Sequence, residues 1–315
     1  MNTAAKLTAY GAALALLLAA GYVAGTAVGP RTAAASGDTP GAGSAGHGGS
    51  HSGTVAVGTS DQPGGLASSR GGYTLTPTDP TLTPGTTQDF TFQITGPDGT
   101  PVTAFDVEHD KRMHLIVVRR DTTGFQHIHP EMAPDGTWSV PLALPEGGSY
   151  RAFADFAPTG GPPATLGVDL AVPGTFEPVA HAPSRVAQVD GYTVELAGDL
   201  VPGQGSPLTL TVSRDGVPVT DLQPYLGAYG HLVGLRGGDL AYLHVHPEGT
   251  PGDGATPAGP GIEFVAEVPS AGDYRLFLDF QHDGVVRTAE FTVPTGAATT
   301  APAPEAGHVD DGHGH

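Results

Sequence analysis

The chain repeats itself, and the repeat limits what it can fold into. Gly72-Tyr73-Thr74-Leu75 is matched by Gly191-Tyr192-Thr193-Val194, and Asp98-Gly99-Thr100-Pro101-Val102-Thr103 by Asp215-Gly216-Val217-Pro218-Val219-Thr220. His114-Leu115 returns as His231-Leu232. Phe125-Gln126-His127-Ile128-His129-Pro130-Glu131 returns as Tyr242-Leu243-His244-Val245-His246-Pro247-Glu248. Gly148-Ser149-Tyr150-Arg151-Ala152-Phe153-Ala154-Asp155-Phe156 returns as Gly272-Asp273-Tyr274-Arg275-Leu276-Phe277-Leu278-Asp279-Phe280. The period is about 120 residues, the size of a domain, so one fold must be completed twice.

Both copies read as β-structure. Phe90-Thr91-Phe92-Gln93-Ile94 and Leu208-Thr209-Leu210-Thr211-Val212 alternate apolar and polar residues, as half-buried strands do. The Asp-Gly pairs at 98–99 and 215–216 are hairpin turn signals. Leu115 to Val118 is a short apolar run suited to a buried strand. The expected fold class is all-β: two tandem immunoglobulin-like β-sandwich modules after an N-terminal transmembrane helix. A small barrel is the alternative. Trp138 is the only tryptophan and so cannot mark a core common to both copies.

The flanks have a different composition. Leu7 to Val28 is uncharged for 22 residues between Lys6 and Arg31, long enough to cross a bilayer as a helix. The reading is a membrane anchor over 1–31, and its alternative is a signal peptide cut after Ala35. Either sends the remainder out of the cytoplasm, as a single-pass membrane protein with its C-terminal part outside or as a secreted one. Residues 32–70 read as a flexible Gly/Ser/His linker. Residues 71–174 and 175–294 are the two modules, and 295–315 are a His/Asp-rich disordered tail. The net charge of −19 argues against a nucleic-acid partner, and the lack of cysteine excludes disulfides and thiolate metal sites.

The histidines carry the chemistry. In each copy a histidine is followed thirteen positions later by His-x-His-Pro-Glu, at His114 to His127 and His231 to His244. Residues two apart on a strand share a face, so His127 and His129 project together, as do His244 and His246. If the strand beginning at His114 or His231 lies alongside, three imidazoles converge. Proline ends or edges the strand, which leaves Glu131 and Glu248 at its rim. Asp155 and Asp279, acidic residues within apolar strands, need a partner and would ligate an ion or orient an imidazole. The expected sites are therefore His114, His127, His129, Asp155 and Glu131 in one module, and His231, His244, His246, Asp279 and Glu248 in the other.

Imidazoles with a carboxylate suit Cu²⁺ or Zn²⁺. Cu⁺ favours sulfur, and the internal methionines, Met113 and Met132, both belong to the first copy, where either is a soft extra ligand in a weaker reading. His109, His181 and His282 read as structural or surface residues. The tail pattern Asp311-x-His313-x-His315 is suited to loose capture of ions. Nucleophile-elbow and phosphate-loop motifs are absent, and the second cupin motif is missing, so no enzymatic activity is expected. The rival readings are a cell-surface structural or interaction protein whose histidines only bridge strands and, behind it, a metal-dependent enzyme.

The run Met113-His114-Leu115-Ile116-Val117-Val118, with Phe125 to Glu131 and Tyr150 to Phe156, resembles a group of bacterial secreted or membrane-anchored proteins described as heavy-metal-binding and discussed beside copper transport. The Ala/Gly-rich composition looks actinobacterial. The resemblance covers residues 108–156 strongly and 231–280 more loosely. It implies extracytoplasmic metal handling, with a membrane metal transporter or a cuproprotein as partner, and no established reaction. The second copy departs from the pattern with Gly230 in place of Met113 and with Gly234 inside the apolar strand, which puts its affinity in doubt.

Overall fold

The computed structural model describes residues 62–296, which contain strands and turns and no helix. No helix among them is long and apolar enough to cross a membrane. The segment Leu7–Val28 and the tail histidines lie outside the described residues.

The first module runs β1 (Ser69–Arg70), β2 (Tyr73–Pro77), β3 (Gln88–Thr95), β4 (His114–Arg119), β5 (Gln126–Ile128), β6 (Glu131–Met132), β7 (Thr137–Leu142), β8 (Gly148–Phe156) and β9 (Ala164–Val172). One sheet has the order β1-β2-β3-β7-β6 and the other β5-β4-β8-β9. This is the immunoglobulin arrangement, with an A-B-E-D sheet facing a C′-C-F-G sheet. The second module runs β10 (Val186–Val189), β11 (Tyr192–Ala197), β12 (Gly205–Arg214), β13 (Val217–Pro218), β14 (Gly230–Arg236), β15 (Tyr242–Pro247), β16 (Gly261–Glu267), β17 (Asp273–His282) and β18 (Val285–Pro294). Its strand order, β10-β11-β12-β16-β15-β14-β17-β18, is one continuous path because β15 pairs with β14 at its start and with β16 afterwards.

Alternation in the sequence becomes alternation in burial. Phe90, Phe92 and Ile94 point inward from β3, as Leu208, Leu210 and Val212 do from β12. Each module also has a tyrosine corner, a hallmark of the fold. The Tyr150 hydroxyl donates to the Glu146 carbonyl at 2.9 Å, and the Tyr274 hydroxyl to the Ser270 carbonyl at 3.0 Å.

The C strands β4 and β14 are buried on both faces. Leu115 and Val117 face their own core, while Ile116 and Val118 join Phe153, Val233, Leu235, Leu240 and Phe277 in a third apolar cluster between the modules. Phe125 stacks on Phe277 with centroids 4.1 Å apart and planes 4° apart, and Phe153 packs against Tyr242 at 5.7 Å. The C′-C-F-G sheets thus press together by their outer faces within one compact unit. Arg275 Nε donates across the junction to Thr122 Oγ1 at 3.1 Å.

The described end of the stretch read as a flexible linker is held in place. Gly65 N–H donates to the Thr165 carbonyl in the first module, and Tyr242 N–H in the second donates to the Gly64 carbonyl. The Arg151 guanidinium also donates to the Gly65 carbonyl. These backbone groups sit at the module junction, where pairing replaces water. Gly65 has φ +75°, and a Cβ there would lie 2.4 Å from Phe153 Cδ1, so only glycine fits.

The departures of the second copy prove to be matters of packing. Met113 is buried in the first core, on the opposite face of β4 from its histidine neighbour, and Met132 packs against that same core. At Gly230 the space is taken by Ile262 and Leu278, and at Gly234 by Leu243.

Candidate metal centre

His114 opens β4, and β5 lies beside it with Leu115 opposite Ile128 and Ile116 opposite His127. That register puts His114, Ile116, His127 and His129 on one face, because directly opposed residues and residues two apart point the same way. It is the outer face, turned toward the second module. The chain leaves β5 at His129-Pro130 and enters the other sheet as β6, so His129 sits at the crossover.

One nitrogen from each of His114, His127 and His129 lies within 4.8 Å of the others. His114 Nδ1 and His127 Nε2 are 3.0 Å apart. Two nitrogens bound to one tetrahedral ion at ordinary Zn–N lengths are about 3.4 Å apart, so this pair already approaches the spacing of co-ligands.

Hydrogen bonds fix which nitrogens are bare. His114 Nε2 donates to the Glu108 carbonyl at 3.0 Å, which leaves Nδ1 with its lone pair. His127 Nδ1 donates to Asp279 Oδ2 at 2.8 Å, which leaves Nε2 with its lone pair when the ring is neutral. The two lone pairs then face each other, and a shared proton or a cation makes the contact favourable. His129 Nε2 is buried and has no hydrogen-bond partner. Burial, reinforced by the neighbouring imidazoles, pushes His114 down to about 4 and His129 to about 3. Both are neutral at pH 7 and so able to bind a metal.

Asp279 belongs to the second module. Its Oδ1 accepts from Thr288 Oγ1 at 2.6 Å, and its side chain and that of His127 are each only 5 % exposed. His231, opposite Asp279 in the β14–β17 register, comes to the same region. Its ring lies 6.3 Å from that of His127 and 5.2 Å from that of His109. His231 Nε2 donates to the carbonyls of Tyr225 and Leu226 at 2.8 and 3.1 Å. The Tyr225 bond spans six residues, as the His114–Glu108 bond does, so both modules set the same tautomer. Burial brings His231 down to about 4.

Asp155 stands opposite His114 in the register, and its Oδ1 accepts from Thr165 Oγ1 at 2.8 Å. Glu131, His246 and Glu248 are exposed. Among the described side chains the structure gathers the first triplet, and the strand pairing around the second differs. In the first module β5 stays paired with β4 through Ile128, whereas β15 turns to β16 from His244 onward. His246 therefore travels with the other sheet, opposite Val265. His244 stands on β15 opposite Glu267, and its side chain lies outside the described set.

Sequence reasoning missed two features. His109, read as structural or surface, is exposed and lies beside the cluster, with its ring 6.1 Å from His114. The available signal was its place in Glu108-His109-Asp110, the segment that also supplies the carbonyl for His114. The pairing of His127 with Asp279 crosses 152 positions, and no local pattern announces it. His282 and His181 behave as expected. His282 bridges the Tyr192 hydroxyl and Asp221, and His181 Nε2 donates to the Asp121 carbonyl.

The model of a domain of unknown function, DUF8832, matches residues 67–173 and again residues 187–297. The chain belongs to the DUF8832 family. Its two family domains are the two sandwiches described above. Comparison with curated proteins finds no match. Among solved structures, the FdeC adhesin of Escherichia coli is similar at 14 % identity and TM-score 0.24, covering 71 % of this chain and 65 % of its own. The adhesin InvE of Yersinia pseudotuberculosis is similar at 11 % identity and TM-score 0.22, covering 70 % and 58 %. The Ig1-2 module of the Drosophila receptor protein tyrosine phosphatase DLAR gives 9 % identity and TM-score 0.19, covering 71 % and 98 %. The match spans less than two thirds of the length of either adhesin chain.

Proposed function

We propose that this protein binds a transition-metal ion, Cu²⁺ or Zn²⁺, outside the cytoplasm, for sequestration, buffering or delivery. The observation that carries the reading is the convergence of one ring nitrogen each from His114, His127 and His129, with His129 Nε2 buried without a hydrogen-bond partner. Three imidazoles in a partly buried cluster make a good borderline-soft donor set for either ion. The extracytoplasmic placement rests on the apolar segment Leu7–Val28. A membrane transporter or a cuproprotein is the partner that delivery would require, and no catalytic step is assigned.

A second reading has its own support. His114 and His127 each have a partner at both ring nitrogens, and the His127–Asp279 pair joins the two modules. A cell-surface structural or interaction protein would use such histidines purely to hold its sandwiches together.

Titration of the purified protein with Zn²⁺ and Cu²⁺, with His308, His313 and His315 replaced to remove the tail background, separates the two readings. Under the metal reading one ion binds saturably, and His127→Ala or His129→Ala weakens it by at least 100-fold. Under the structural reading uptake is diffuse and unchanged by either substitution.

A further inference from the structure

We infer that the ion site is shared between the two modules, so that a bound ion acts as a clasp holding the second sandwich against the first. The inference rests on the metal-binding reading and extends it to what occupancy does to the molecule.

The ligating imidazoles all come from the first module, but the group that orients one of them comes from the second. Asp279 on β17 accepts the Nδ1 hydrogen of His127 at 2.8 Å. The carboxylate is tethered through its other oxygen to Thr288 on β18. A neutral imidazole that donates Nδ1–H to a fixed carboxylate must offer Nε2 to the ion, and the carboxylate makes that nitrogen a stronger donor. Asp279 is thus a positioning residue for an ion it does not touch.

The second module also walls the site. Its 221–229 loop places the Tyr225 ring 6.5 Å from His129 and holds His231 beside His109 and His127. Without the second module His127 loses its acceptor, and the cluster loses one side of its enclosure.

The coupling is reciprocal. An ion drawing electron density from His127 Nε2 polarises Nδ1–H and strengthens its bond to Asp279. Docking of the modules therefore raises ion affinity, and the ion tightens the docking by the same factor. The apolar contact around Phe125 and Phe277 brings the faces together, and the ion adds a directional fastening at one end of that contact.

Hydrogen exchange of the full chain, followed by mass spectrometry during Zn²⁺ titration, tests this segment by segment and is insensitive to ions held by the tails. Zn²⁺ is expected to slow exchange in β4 and β5 of the first module. It should also slow the 221–229 loop and β17 of the second, with the same midpoint. Asp279→Asn is expected to move the β4–β5 midpoint to about 10- to 100-fold higher Zn²⁺ and to abolish protection in the second module. Thr288→Val frees the carboxylate without touching His127 and shifts the midpoint in the same direction by a smaller factor, which guards against a folding defect in Asp279→Asn. Protection confined to the first module, or an unchanged midpoint in both variants, overturns the clasp while leaving the ion site standing. No Zn²⁺-dependent protection at β4 and β5 in the unaltered chain overturns the metal-binding reading itself.

Discussion

Replacing Phe277 by alanine removes the centre of the contact between the modules, and the effect can be read from the far side of it. Phe277 is fully buried, its ring lies flat on Phe125, and Arg275 covers it with the guanidinium carbon 5.2 Å from the centroid. Deleting a fully buried phenylalanine ring costs about 3–5 kcal/mol when the site does not collapse. Phe125 is only half-buried, so Phe125→Ala should cost about 1–2 kcal/mol. The stacked geometry adds about 0.5–1.5 kcal/mol that both single changes lose, so the double variant should fall short of the sum by that amount. Trp138, the one tryptophan, sits in the core of the first module, and its fluorescence during guanidinium unfolding reports on that module alone. The expected result is a fall in the Trp138 midpoint caused by a change in the other module. If Phe277→Ala leaves that midpoint in place, or the two changes add to within about 0.3 kcal/mol, the two sheets are not packed as described.

Three further outcomes follow from the geometry. His114 and His231 fall from 6.5 to about 4, so between those pH values the unfolded chain takes up protons that the folded chain refuses. Stability of the metal-free protein should therefore climb by up to about 3 kcal/mol per histidine from pH 4 to pH 6.5 and level off above. Urea midpoints at pH 4.5, 5.5 and 7 check this, and a maximum near pH 5 would contradict it. Tyr150→Phe and Tyr274→Phe each remove one corner hydrogen bond and should each cost about 1 kcal/mol, lowering the melting temperature by about 2–4 °C. Melting that drops in one variant and not the other would break the equivalence of the two corners. Gly65→Ala forces a Cβ onto Phe153 at a left-handed backbone position and should cost about 1–3 kcal/mol by thermal unfolding. A neutral result would show the 62–70 segment to be detachable.

Much of the architecture was readable before any coordinates. The turns at Asp98-Gly99, closed by the Thr95–Pro101 bridge, and at Asp215-Gly216, which joins β12 to β13, and the alternation in β3 and β12 are local signals whose meaning survives folding. The apolar run from Leu115 to Val118 was legible as a buried strand, but its second buried face belongs to the other module. The histidine triplet of the first copy was legible from its spacing, since a two-residue repeat on one strand and a neighbour thirteen positions back leave little freedom. In the second copy β15 changes sheets at His244 and sets His246 opposite Val265, a pairing that the shared spacing does not announce.

The duplicated sequence by itself determined two β-sandwiches and the presence of imidazoles on the strands around each crossover, because turn residues and side-chain period act over a few positions. Only the tertiary structure decided that the outer faces of the two C′-C-F-G sheets meet, that Asp279 reaches His127 across that meeting, and that the first module's histidine triplet lies at that junction. The physical reason is that side-chain direction is a property of a single strand. The partner across an apolar interface depends on how two faces fit, and on where each strand leaves one sheet for the other.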